Sequence, residues 1–148
     1  MNEKEKCYWA GLFDGEGCIS IRLNRPTQTS RHKTNLYALI TKVTMCDKEL
    51  VKQMQKSFGI GHLTINQRQE SLRVKQRPAL SWTCMSNDAM QVIIILKPYL
   101  RSKLNEAKIA LDFMSLPSAR RGRRRTDPEL TKKREDLYYD LRKAKGRL

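Results

Sequence analysis

Cysteine is scarce and scattered in this 148-residue chain: Cys7, Cys18, Cys46 and Cys84, with no C-x-x-C pair among them. Only His32 and His62 could join them, and the spacing argues against a zinc site. Four reduced thiols, three at positions expected to face the core, point instead to a reducing, intracellular compartment. No apolar run approaches the ~18 residues needed to cross a bilayer. The charged opening, Met1-Asn2-Glu3-Lys4-Glu5-Lys6, is not built like a signal peptide. Acids are also in short supply, with 15 Asp and Glu against 30 Lys and Arg, a net charge of +15. Such an excess is the footprint of a protein that meets a polyanion, nucleic acid ahead of a membrane surface. No RNP-type aromatic motif is present to favour RNA.

What remains is one domain's worth of chain with a basic end. The last 29 residues hold 12 of the 30 Lys and Arg, and the break falls at Leu116-Pro117-Ser118-Ala119 before Arg120-Arg121-Gly122-Arg123-Arg124-Arg125. We therefore divide the chain into a folded unit, 1–116, and a basic linker with a terminal helix, 117–148. Periodicity predicts a helix over Glu3–Asp14, strands over Cys18–Asn24 and Leu36–Met45, and a helix capped by Asp47 and stopped by Gly59. Strands over Gly61–Asn66 and Ala79–Met85 follow. Next come a helix capped by Asn87, and another from about Arg101 to Met114 with Leu104, Ala107, Leu111 and Met114 as its stripe. The terminal helix spans Asp127–Lys145, with Leu130, Leu137, Tyr138 and Leu141 available for packing. This order suits an α+β fold, one antiparallel sheet with helices on one face and a polar, basic face left open. Trp82 alternates in phase with Leu80 and Cys84, which favours core packing over base stacking.

The most informative stretch is Trp9-Ala10-Gly11-Leu12-Phe13-Asp14-Gly15-Glu16-Gly17. Two glycines four apart weaken a helix by roughly 1 kcal/mol each relative to alanine, which makes sense where another backbone must come close. A helix C-terminus also concentrates negative partial charge and unpaired carbonyls. Acids there invite a hard cation such as Mg²⁺ or Ca²⁺. Read by themselves, these residues favour a plainer account, an ordinary cap at Gly15 and a solvated Glu16.

The segment resembles the signature of the LAGLIDADG homing endonucleases, with Glu16 where that family keeps its metal-binding acid, usually aspartate. Lys97-Pro98-Tyr99-Leu100-Arg101-Ser102-Lys103 resembles the family's segment before its final core helix. The resemblance implies an αββαββα fold with a saddle-shaped antiparallel sheet, and a site-specific, metal-dependent cleavage of double-stranded DNA. It implies Glu16 and Lys103 as catalytic residues. Glu16 and the carbonyl of Gly15 would be metal ligands, with Mg²⁺ as cofactor and Ca²⁺ binding without supporting cleavage. One motif per chain implies a homodimer through Tyr8, Gly11, Leu12 and Gly15 and a long pseudo-palindromic target. Packing within the chain is the other explanation of the glycines, and a surface lysine that of Lys103. Some members place a glutamine where Met45 stands here, so the water-positioning group is unassigned. Residues expected to face the DNA groove are Ser20, Arg22, Asn24, Lys42, Arg68, Arg73, Lys75, Arg77, Ser81 and Thr83, each also able to contact phosphate. Neither a membrane partner nor a small-molecule substrate is expected. An intron maturase or a cleavage-inactive nucleic-acid-binding protein are the alternatives within the family.

Overall fold

An Asn2–Glu5 capping box starts the first helix, α1 (Glu3–Glu16). The Asn2 side chain accepts from the Glu5 N–H at 3.0 Å and the Glu5 carboxylate accepts from the Asn2 N–H at 2.8 Å. Two otherwise unpaired backbone donors are thereby satisfied. The computed structural model describes residues 1–31, 34–66, 78–117 and 127–146. α1 runs two residues beyond the expected Asp14: Gly15 is helical and Glu16 is the last residue. The stop comes at Gly17, where a Cβ would lie 2.5 Å from the Phe13 carbonyl oxygen. Only glycine allows the chain to turn so tightly from helix into strand.

The strands β1 (Gly17–Asn24), β2 (Leu36–Met45), β3 (His62–Asn66) and β4 (Ala79–Met85) form one antiparallel sheet in the order β1-β2-β4-β3. Its register pairs Ile19 with Thr41, Ile21 with Leu39, Val43 with Trp82 and Thr41 with Cys84. Directly paired residues share a face, so these side chains all meet the helices, and all are buried. Trp82 packs in the core as expected, its Nε1 donating to the Ile60 carbonyl at 2.9 Å.

Helix α2 (Lys48–Phe58) begins at Asp47, whose carboxylate accepts from the Leu50 N–H, and ends at Gly59 with φ 67°, a left-handed cap suited to glycine. Val51 and Met54 are its buried residues. Helix α3 (Asn87–Leu96) starts one residue earlier than expected. Ser86, not Asn87, is the cap, because the Ser86 N–H is drawn to the Leu39 carbonyl at 2.8 Å and its φ of 50° turns the chain. A 3₁₀ turn over Lys97–Tyr99 accommodates Pro98 before α4 (Leu104–Ser115). The buried stripe of α4 is Ala107, Ala110 and Phe113, while the expected Leu104, Leu111 and Met114 are half-buried at its flanks. Small alanines let the helix approach the sheet closely, and the bulky side chains fill the margins.

Helix α5 (Pro128–Ala144) is capped by Asp127 with Pro128 in its first turn. It docks on α4 and on the β1 edge of the sheet through buried Leu141, with Leu137 and Tyr138 packed beside it. The Tyr138 ring lies 5.8 Å from that of Tyr37. The cysteines depart from expectation. Cys84 alone is buried, Cys18 is half-buried, and Cys7 and Cys46 are exposed. Cys7 falls on the outer face of α1, and Cys46 on the turn between β2 and α2.

Candidate active site and nucleic-acid interface

The end of α1 is where the chemistry-bearing residues converge. Trp9, Ala10 and Phe13 form its buried side. The opposite side presents Tyr8, 56% exposed, together with exposed Gly11 and Gly15 and half-buried Leu12. A Cβ built on either glycine would meet nothing within 4 Å. Among the described residues, then, no packing requires glycine at these two positions, and the explanation by packing within the chain finds no support there.

Asp14 points inward, and its role was not legible as such in the sequence. Its carboxylate accepts the Arg101 N–H at 2.8 Å and the Lys103 N–H at 3.0 Å, tying α1 to the turn before α4. The Lys103 ammonium returns to the same residue, donating to the Asp14 carbonyl oxygen at 2.7 Å. A cation is thus held at the negative end of the α1 dipole, whose last turn contains no basic residue of its own. The available signal was the start of α4, where Lys103 stands as cap with no side-chain oxygen to offer. Such a start needs an acceptor from elsewhere. With Asp14 committed, Glu16 is the exposed carboxylate at the helix end, two residues from the carbonyl that holds Lys103.

Carboxylate and carbonyl oxygens fit a hard divalent cation. Among the described residues no three His, Cys, Asp or Glu side chains cluster closely enough to hold a metal. Of the two acids at the helix end, Glu16 is the one left to such a site, Asp14 being taken by the 101–103 turn.

The open face of the sheet carries rows of side chains set by the strand register. Cys18, Lys42, Thr83 and His62 form one row, and Thr44, Ser81 and Thr64 another. Ser20, Arg22 and Asn24 line β1, Arg22 and Asn24 being exposed. Ser81 is a correction: it is buried, and its hydroxyl is shared with Thr44 at 2.7 Å, so it is not offered to a duplex. The face is also less polar than expected, since Ile40 is buried on it beside Met85. Sequence reasoning missed His62 and Thr64, although their alternation with Leu63 and Ile65 was the signal. Arg68, Arg73, Lys75 and Arg77 lie outside the described residues. Met45 pairs with Leu80 on the helix side of the sheet, half-buried against the core. Asp47 is occupied in capping α2.

A model of the family described as LAGLIDADG endonuclease matches residues 9–113. The fold is similar to that of I-Vdi141I, an archaeal intron-encoded homing endonuclease complexed with DNA. The TM-score is 0.73 and the identity 14%, covering 96% of this chain and 84% of that one. It is similar also to the homing endonuclease I-TnaI, with TM-score 0.67, 16% identity and 95% of each chain covered. A third likeness is to I-CvuI in complex with a DNA target in the presence of Mg, with TM-score 0.63, 17% identity, and 94% and 95% of the two chains covered. No curated protein matches the chain at a significant level.

Proposed function

Because the chain belongs to the LAGLIDADG homing endonuclease family, we propose that it is a site-specific double-strand DNA endonuclease acting as a homodimer. The observation that carries this reading is the bare face of α1. Gly11 and Gly15 are exposed, none of the described residues packs on them, and Glu16, the acid of the segment not taken by the 101–103 turn, stands at the end of that face. Two copies crossing there bring their backbones close and set one Glu16 carboxylate from each at the bottom of a shared cleft.

Glu16 and the Gly15 carbonyl of each copy are the residues that would hold Mg²⁺, hard oxygen donors suited to that ion. When bound, the ion supplies water activation and stabilisation of the leaving oxygen in phosphodiester hydrolysis. Lys103, anchored on Asp14, provides a preorganised positive charge for the scissile phosphate. Asp14 positions that lysine and takes no direct part. The open face of the sheet lies in the major groove, where each base pair has its own donor and acceptor pattern. Arg22, Asn24, Lys42, Thr83 and Ser20 are the side chains of that face offered to base edges or phosphates, and His62 and Thr64 extend the set. The I-CvuI complexes with DNA, solved in the presence of Mg and of Ca, are in keeping with a divalent cofactor here. An intact acid at Glu16 favours cleavage over maturase activity or binding alone.

The test is incubation of the wild type and Glu16→Gln with a supercoiled plasmid library of random duplex inserts and Mg²⁺. Cleaved plasmids carrying a pseudo-palindromic insert are expected for the wild type alone, with DNA binding retained by the variant. Cleavage by both proteins, or by neither, overturns the assignment.

A further inference from the structure

The edge of the sheet beside α5 holds a second site of definite chemistry. β1 is an edge strand, and α5 runs along its outer side to leave a cleft of about 440 Å³. Ser20, Arg25, Arg142 and Lys145 contribute its polar lining, Tyr138 and Leu141 its apolar wall. Lys145 is part of the framework. Its ammonium donates to the Ile19 carbonyl at 2.7 Å and to the Cys18 sulfur at 3.0 Å, with the Glu106 carboxylate 4.0 Å away. Arg142 is exposed but preset. One guanidinium nitrogen donates to the Tyr138 hydroxyl at 3.1 Å and the group lies 5.6 Å from the centre of that ring. Arg25 sits just beyond the end of β1, exposed. Among the described lining residues Arg25, Arg142 and Lys145 are cationic and none is acidic, Glu106 standing behind Lys145.

A sheet in the major groove meets bases with its face and sugar–phosphate walls with its edges. The groove is about 12 Å wide, and neighbouring strands lie about 4.8 Å apart. A four-stranded sheet thus fills it to the walls. Resting on the DNA-binding reading above, we propose that the β1–α5 cleft seats a backbone phosphate of duplex DNA. The Arg142 and Arg25 guanidiniums and the Ser20 hydroxyl are its ligands. Guanidinium is suited to this, because its planar fork matches two phosphate oxygens at once. The basic C-terminal helix thereby grips the duplex at a fixed position beside the strand that carries Arg22 and Asn24. It is not merely a diffuse counter-charge.

The test is the salt dependence of affinity for a mixed-sequence 30-base-pair duplex, measured by fluorescence anisotropy in Ca²⁺ for the full chain. The proteins are the wild type, Arg142→Gln, Arg25→Gln and, as control, Lys132→Gln on the exposed side of α5. Each arginine variant is expected to weaken binding alike on different sequences and to lower the slope of log K against log salt by about 1 per chain. Lys132→Gln should leave the slope as it is. Arg25 lies outside α5, so its variant tests the cleft even if Arg142→Gln loosens the helix. A slope unchanged in both arginine variants overturns the phosphate site while leaving DNA binding intact. A wild type with no salt-dependent affinity for duplex DNA overturns the parent reading instead. Tighter binding of an A-form RNA duplex of equal length, lost in the same variants, overturns the choice of DNA as the partner.

Discussion

Lys103 is held by Asp14 at both its backbone and its side chain: the N–H donates to Oδ1 at 3.0 Å and the ammonium to the carbonyl oxygen at 2.7 Å. The second carboxylate oxygen takes the Arg101 N–H at 2.8 Å. Asp14→Ala leaves the Arg101 and Lys103 N–H groups without their acceptor and loosens the turn that sets Lys103, although the main-chain carbonyl that takes the ammonium remains. Hydrogen bonds to a charged group contribute roughly 1.5–3 kcal/mol, so the variant should lose stability on that scale in urea denaturation. It should lose cleavage more steeply than DNA affinity. Asp14→Asn keeps one acceptor oxygen and should fall between. An Asp14→Ala midpoint equal to the wild type would show that the tie between α1 and the 101–103 turn carries no weight.

Gly11→Leu separates folding from assembly. Beyond its own turn of helix, no described residue comes within 4 Å of a Cβ at position 11, and replacing a helical glycine removes a penalty of roughly 0.5–1 kcal/mol. The variant should fold and melt no lower than a wild-type monomer. If the proposed homodimer forms through this face, the variant should sediment as a monomer at concentrations where the wild type sediments as a dimer, and it should not cleave. Persistence of the dimer in sedimentation equilibrium would place the subunit interface elsewhere.

The Cys84 thiol gives a pH signature. Burial pushes its pKa up to about 12 from an ordinary 9.0, with the neighbouring Thr41 hydroxyl pulling the other way and the Asp88 charge adding to the rise. Below pH 9 the thiol is protonated in both folded and unfolded chains, so its contribution to stability is constant there. Above it the unfolded chain releases the proton while the native one keeps it, and stability falls as pH rises towards 12. Cys84→Ala should therefore show a shallower loss of stability between pH 9 and 11 in urea melts. In the native protein Cys7 and Cys46 should react readily with a maleimide and Cys84 only after unfolding. Fast labelling of Cys84 would contradict its burial.

Much of this architecture was legible in the sequence. Alternation located β1, β2 and β4, and Asp47 and Gly59 bracketed α2, because local turn chemistry and hydrophobic period agree there. Reading failed where a long-range partner decides. Ser86 displaced Asn87 as a cap because of the Leu39 carbonyl. Ser81, polar and on the open face, is buried against Thr44 by its position in the middle of the sheet. At the candidate site, Glu16 and the glycines stand out in the sequence because their pattern is short and local. Asp14 looked like a second candidate cation ligand, since its true partners lie 87 and 89 residues away. The docking of α5 was only half visible: Leu137, Tyr138 and Leu141 announced an apolar stripe, but not the edge of β1 as its destination.

That docking makes a final, asymmetric prediction. Lys145 and Glu106 are both largely buried, with side-chain exposures of 12% and 14%, at a separation of 4.0 Å. Lys145 also has the Ile19 carbonyl and the Cys18 sulfur, whereas Glu106 Oε2 has no hydrogen-bond partner. Removing one member of a buried pair is costly chiefly for the charge left behind. Lys145→Met leaves the Glu106 carboxylate uncompensated and uncovers the Ile19 carbonyl at the sheet edge, for a loss of about 3 kcal/mol. Glu106→Gln leaves an ammonium that still has its other acceptors, and the loss should be clearly smaller. The double variant Lys145→Met, Glu106→Gln should recover part of the deficit of Lys145→Met, because the stranded charge is gone while the open edge remains. Urea denaturation of the four proteins as a double-mutant cycle measures all three quantities. Equal losses in the two single variants, or strict additivity in the double one, would show that the pair does not fasten α5 to β1.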